Sequence, residues 1–222
     1  MNANGKRGLL TGVIFIFLFA LWTALVMTFD VQPLGVNGTD IGFAAINTAF
    51  HSLTGVNMTL YTITDWLGLV PVFVCLAFGG MGFCQLVKRK SLLRVDFDII
   101  ILGVYYVIVI MCYLIFEMIP INYRPILING VMECSYPSST TLLVLGVMTT
   151  LIFQAKIRVK NTAIKNIITV STVIFTVFMV VGRLLSGVHW VTDIMGSVLL
   201  SAGLFMIYKS IVEIKAGEED GI

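Results

Sequence analysis

The sequence predicts an all-α fold, a bundle of six transmembrane helices with both termini in the cytoplasm. Three observations carry that expectation. The 222 residues are 58% hydrophobic and only 12% charged, against about 25% charged in an average globular domain, and the mean hydropathy is +0.99. The excess is gathered in six apolar runs, each near the roughly 20 residues that a helix needs to cross the hydrocarbon core. Of the 14 Lys and Arg, all but Arg124 and Arg183 fall in clusters between alternate runs, the asymmetry expected of cytoplasmic loops.

Span one covers residues 9–28, preceded by Lys6 and Arg7. A signal peptide starts the same way, but this run exceeds the usual apolar segment of about 7–15 residues and no small-x-small cleavage site follows. Spans two to six cover 66–87, 99–116, 140–153 (extending towards 157), 164–181 and 194–211. Lys88, Arg89, Lys90 and Arg94 join spans two and three. Lys156, Arg158, Lys160 and Lys165 join four and five, and Lys209 and Lys215 close span six. With these inside, 29–65, 117–139 and 183–192 are outer loops. No gap is long enough for a soluble domain, so residues 1–222 are expected to form a single membrane domain. The net charge of +2 marks sidedness and implies no nucleic-acid partner. Cys75, Cys84 and Cys112 lie within spans and Cys134 has no evident outer partner, so no disulfide framework is expected.

The outer loops hold the chemistry. In the first, Asp40 is a plausible cap for a short interfacial helix on which Phe43, Ile46 or Asn47, Phe50, and Leu53 or Thr54 recur at helical spacing. His51 sits on that helix, and its simplest role is a polar residue at headgroup level. The second loop runs from Glu117 to Arg124-Pro125, then from Glu133 to Pro137-Ser138-Ser139-Thr140, and Pro120, Pro125 and Pro137 keep it from being one helix. The hydroxyls of Ser138, Ser139 and Thr140, with the free N–H groups of a first helical turn, form an anion site; simple capping by Ser138 or Ser139 is the plainer alternative.

The third loop contains Arg183, His189, Trp190 and Asp193. Asp193 follows His189 by four residues, so the two share one helical face if span six begins near His189. A carboxylate beside an imidazole fixes its tautomer and stabilises its charged form. An interfacial Trp–His pair with an Asp helix cap is the alternative. Arg183, at membrane depth, needs a partner. Six antiparallel spans bring all three loops to one surface. Guanidiniums match phosphate geometry, and a histidine can attack phosphorus while surrounding donors stabilise the transferring group. With two histidines in the chain and no outer acidic cluster, neither a metal site nor a cofactor is expected.

At these residues the chain resembles the type 2 phosphatidic acid phosphatase superfamily, membrane lipid phosphatases related to bacterial phosphatidylglycerophosphate and undecaprenyl-diphosphate phosphatases. The family carries K-x6-R-P, P-S-G-H and S-R-x5-H-x3-D in that order on a six-span bundle. Arg124-Pro125 matches the end of the first motif, Pro137-Ser138 the start of the second, and Arg183, His189 and Asp193 most of the third. The resemblance implies that His189 is the phosphoryl-accepting nucleophile and that Asp193 orients it. Arg124, Arg183 and Ser138 would hold the phosphate, helped by the backbone at Ser139 and with Thr140 beside them.

Four positions depart from the family. Glu117 stands for the first-motif lysine, Ser139 for the second-motif glycine, Thr140 for its histidine, and Gly182 for the third-motif serine. That histidine is the family's general acid, a role typically worth about 10²–10⁴ in rate. A lipid alcohol leaving from a monoester needs its proton, whereas a lipid phosphate leaving from a diphosphate is already a stabilised anion. The expected activity is therefore hydrolysis of a lipid (di)phosphate, a polyprenyl diphosphate such as undecaprenyl diphosphate or a phospholipid, with diphosphates favoured over monoesters. His51 and Glu133 are candidate substitute acids. The expected partners are a lipid phosphate substrate and membrane lipids, in a plasma (inner) membrane with the site on the non-cytoplasmic side. A catalytically impaired lipid-phosphate binder and a lipid phosphotransferase use the same residues. A transporter fits less well, because the ionisable groups gather at span ends, away from the midplane.

Overall fold

The computed structural model describes residues 3–219; residues 1–2 and 220–222, and with them the extreme termini assigned to the cytoplasm, lie outside the described residues. Eight α-helices follow one another: α1 (Ala3–Thr28), α2 (Ala44–Thr54), α3 (Met58–Leu67), α4 (Leu69–Arg89), α5 (Phe97–Met118), α6 (Ser139–Arg158), α7 (Thr162–Leu185) and α8 (Val191–Glu219). Among the described residues, six segments are long and apolar enough to cross a membrane: Gly5–Thr28, Met58–Arg89, Phe97–Met118, Ser139–Arg158, Thr162–Leu185 and Val191–Glu218. The protein is an integral multi-pass membrane protein.

The helices α6 and α8 form the centre, with Leu142, Val144, Val147, Leu200 and Tyr208 all buried. Around them, α1, α4, α5 and α7 turn Phe17, Phe73, Val107 and Ile174 outward. An apolar exterior on that scale suits hydrocarbon as solvent. Helix α1 approaches α8 closely along Gly8 and Gly12: a Cβ on Gly12 would stand 2.7 Å from Ile207. Small residues at four-residue spacing let helices pack backbone to backbone in a membrane. At the end of the bundle away from residues 29–65, 117–139 and 183–192, Arg158 bridges Asp96 (3.2 Å) and Asp98 (2.6 Å), and Arg89 reaches Asp96 at 2.7 Å. The hydrogen bond from Arg89 holds the Asp96 carboxyl below the usual range.

Two expectations about the first outer loop are corrected. Its second half is helical: α3 begins at Met58, capped by Asn57 Oδ1, which accepts from Leu60 N at 2.9 Å. Span two is therefore α3 and α4 together. Asp40 caps nothing, because α2 starts four residues later behind Phe43 in a left-handed conformation. The carboxylate of Asp30 instead accepts from Ala45 N at 2.8 Å, so the acid that favours this helix N-terminus comes from a distance. The second loop folds as a hairpin, with Tyr123 opposite Cys134 and Ile128 opposite Val131. Its tip is Asn129-Gly130, both at positive φ, the residue pair that a tight hairpin turn requires.

Candidate functional site

The turn between α7 and α8 is fixed from two sides. Gly187 has φ 68°, and a Cβ there would sit 1.9 Å from Gly55 O; only glycine allows the link between α2 and α3 to press so close. Asn57 N donates to Ser186 O at 3.0 Å. His51 Nε2 lies 3.2 Å from Gly187 O, and its ring packs 5.6 Å from that of Trp190. From the other side, Trp190 Nε1 donates to Tyr123 O in the hairpin at 2.8 Å.

His189 is held in this turn, ahead of the first residue of α8, so the expectation that it shares a helical face with Asp193 is corrected. The two still meet. Trp190 N donates to Asp193 Oδ2 at 2.9 Å, which folds the turn back onto the helix start and leaves His189 Nδ1 3.5 Å from the same oxygen. Both side chains are fully buried. Burial, and then the charges of Arg124 and Arg183, push the imidazole well below its ordinary 6.5, so it is neutral at pH 7, as a nucleophile must be.

Arg183 belongs to the last turn of α7, where the sequence suggested a loop, and is 1% exposed. Arg124 projects from the hairpin and is also buried. Each guanidinium has a carboxylate: Arg124 Nε is 3.0 Å from Glu133 Oε2, and Arg183 Nη1 is 3.6 Å from Asp65 Oδ1. Between them lies Tyr61, with its ring centroid 4.8 Å from Arg183 Cζ and 5.9 Å from Arg124 Cζ. A shared aromatic face attracts both cations and keeps their planes near one point.

Buried polar atoms without a close hydrogen-bond partner concentrate here: Arg124 Nη1, Arg183 Nε and both ring nitrogens of His189, with Asn122 Nδ2 and Ser135 Oγ turned towards Asp193 Oδ1. Native interiors leave few such atoms, so guanidinium donors without a partner beside the imidazole mark a polar cluster that can accept an anion. Neither Asn122 nor Ser135 was read from the sequence. Both flank Asp193. They pair across the hairpin through Ser135 N and Asn122 O at 2.9 Å, as Arg124 N and Glu133 O do at 3.0 Å. Residues two apart on a strand share a face, so the Asn129-Gly130 turn was the signal that could have found them.

The hydroxyl residues divide. Ser138 is buried and tied to the cluster: its N donates to Asp193 O at 3.2 Å and its O accepts from Ser197 Oγ at 2.8 Å. Its own hydroxyl donates to Thr141 Oγ1 at 3.0 Å, so no side-chain cap forms and the oxygen is turned along α6. Ser139 and Thr140 stand one step away, on a groove of about 520 Å³ between α4, α5 and α6, with Asp65 at its polar end. Gly182 faces α3: a Cβ there would come 2.8 Å from Thr64 Cγ2, which leaves no room for a serine unless α3 moves.

Fold and site together define a helical multi-pass membrane protein with a buried His–Asp pair facing two arginines at one end of its bundle. The chain belongs to the PAP2 superfamily, whose model matches residues 73–215. A solved structure described as a transmembrane PAP2-type phosphatidylglycerolphosphate phosphatase from Bacillus subtilis is similar in fold, with a TM-score of 0.57 at 18% identity over 95% of this chain and 96% of that one. No curated protein sequence matches the chain.

Proposed function

We propose that this protein is a lipid phosphatase whose single membrane domain faces its site outward, with both termini cytoplasmic, and that it hydrolyses lipid diphosphates through a phosphohistidine at His189. With Nδ1 turned to Asp193, Nε2 is the free nucleophile. Its lone pair attacks the terminal phosphorus as the P–O bond to the lipid phosphate breaks, and the lipid monophosphate leaves as an anion. Arg124 and Arg183 neutralise the transferring oxygens, and Asp193 stabilises the imidazolium-like adduct. The outward orientation is supported by the clustering of basic residues at the other end of the bundle. A plasma-membrane location follows from the same family reading.

The single observation that carries this reading is the convergence of two buried guanidiniums and a neutral histidine around unpaired polar atoms. Preference for diphosphates rests on Thr140, which cannot donate the proton that an alcohol leaving group needs. Phosphate release from purified protein, with farnesyl diphosphate and phosphatidic acid as alternative substrates, tests the proposal. The expected result is release favouring the diphosphate, abolished in His189→Ala and Arg183→Ala. A protein that binds both lipids and releases no phosphate would be a binder only, and a clear monoester preference would refute the substrate assignment.

A further inference from the structure

Resting on that phosphohistidine reading, we propose that Asp65 is the general base of the second half-reaction, taking the proton of the water that hydrolyses the adduct. Attack on phosphorus must come in line, opposite the bond to Nε2. The imidazole's other nitrogen is turned to Asp193, so the water approaches from the side that the leaving group vacates, past the arginines.

The carboxylates around the cluster are not equivalent. Asp193 is fully buried behind the imidazole and bonded to Trp190 N. Glu133 sits on Arg124 Nε. Glu117 lines a separate small cavity with Cys134, Ser135 and Tyr136. His51 is engaged with Gly187 O. Asp65 is different: it is 55% exposed, 3.6 Å from the Arg183 guanidinium, and opens on the groove shared with Ser139 and Thr140. Its place is set by the α3–α4 junction, where Gly68 N donates to Asp65 O at 3.0 Å. A phosphoryl oxygen on Arg183 at about 2.8 Å would share that guanidinium with Asp65, so a water held between them can reach both, as general catalysis through one water requires. Asp65 also lies outside the residues 73–215 that match the family.

The step balances without another reactant. The water oxygen bonds to phosphorus, the N–P bond breaks, its electron pair returns to Nε2, and the water proton passes to Asp65. From there the carboxyl gives it to the departing phosphate. The first half-reaction asks no proton of Asp65, because its leaving group is an anion.

The test uses full-length protein in detergent micelles with farnesyl diphosphate labelled on its terminal phosphate, quenched into base at short times so that phosphohistidine is counted. In Asp65→Asn the adduct should form within about threefold of the wild-type rate and decay about 10²–10⁴-fold more slowly, accumulating on the protein. Asp65→Glu should restore decay, as should added formate with Asp65→Gly. Decay at the wild-type rate in Asp65→Asn overturns the proposal, and so does loss of adduct formation in a variant that still elutes and melts as the wild type does. An absence of any adduct in the wild type, with phosphate release unchanged in His189→Ala, overturns the phosphohistidine reading instead.

Discussion

Replacing Asp193 with Asn separates catalysis from folding at this site. The carboxylate lies 3.5 Å from His189 Nδ1. Unit charges at that distance interact by about 5 kcal/mol at an effective dielectric near 20. With about 1.36 kcal/mol per tenfold, loss of the charge can cost at most 10³–10⁴ in rate. An Asn that keeps its carbonyl on Trp190 N, now 2.9 Å from Asp193, retains the turn and part of the dipole, so the expected loss is about 10²–10³. Burying an amide in place of a fully buried carboxylate removes a desolvation cost, so the melting temperature should stay within a few degrees. The assay is phosphate release under saturating farnesyl diphosphate, with size-exclusion and thermal melting as controls. Activity within threefold of wild type in the folded variant would refute the orienting role of Asp193.

Other predictions follow from the same geometry. Thr140→His, which adds an acid on the groove, should raise hydrolysis of phosphatidic acid by at least about tenfold while leaving the diphosphate rate nearly unchanged; equal effects on both substrates would contradict the leaving-group argument. Tyr61→Ala should weaken binding of a lipid phosphate by about 3- to 30-fold, the range of a partly desolvated cation–π contact, with Tyr61→Phe close to wild type in the same equilibrium binding assay. Arg183→Lys should behave nearly as badly as Arg183→Ala, since an ammonium cannot supply the paired fork. The depressed His189 gives a pH signature. An unfolded chain takes up a proton near pH 6.5 while the folded one resists it, so stability is undiminished above that pH and falls as pH drops below it. Melting of the wild type against His189→Gln between pH 7.5 and 5 should show the wild type losing ground on acidification. A constant difference would mean that the imidazole titrates normally.

The spans were legible because apolar length is a local property, and the arginines because they stand apart from the basic clusters. The sequence also brought His189, Asp193, Arg124 and Arg183 to one surface. What it missed depends on contacts between segments. Asn122 and Ser135 become neighbours only through the Asn129-Gly130 hairpin. Tyr61 and Asp65 fell within residues 29–65, ahead of the apolar run of span two, whereas α3 carries both under the guanidiniums. The helical face assumed for His189 and Asp193 failed because a main-chain bond from Trp190 to Asp193 Oδ2 starts α8 late. The clustered basic residues served only as markers of sidedness, yet Arg89 and Arg158 are also tied to Asp96 and Asp98.

Orthovanadate, which adopts the five-coordinate geometry of a transferring phosphoryl group, probes the pairing of the two arginines with the imidazole most directly. A structure of the protein with vanadate should have vanadium bonded to His189 Nε2 and its equatorial oxygens within hydrogen-bond distance of both Arg124 and Arg183. Vanadate bound elsewhere, or held by one guanidinium with the imidazole free, would contradict a single phosphate site built from these three side chains.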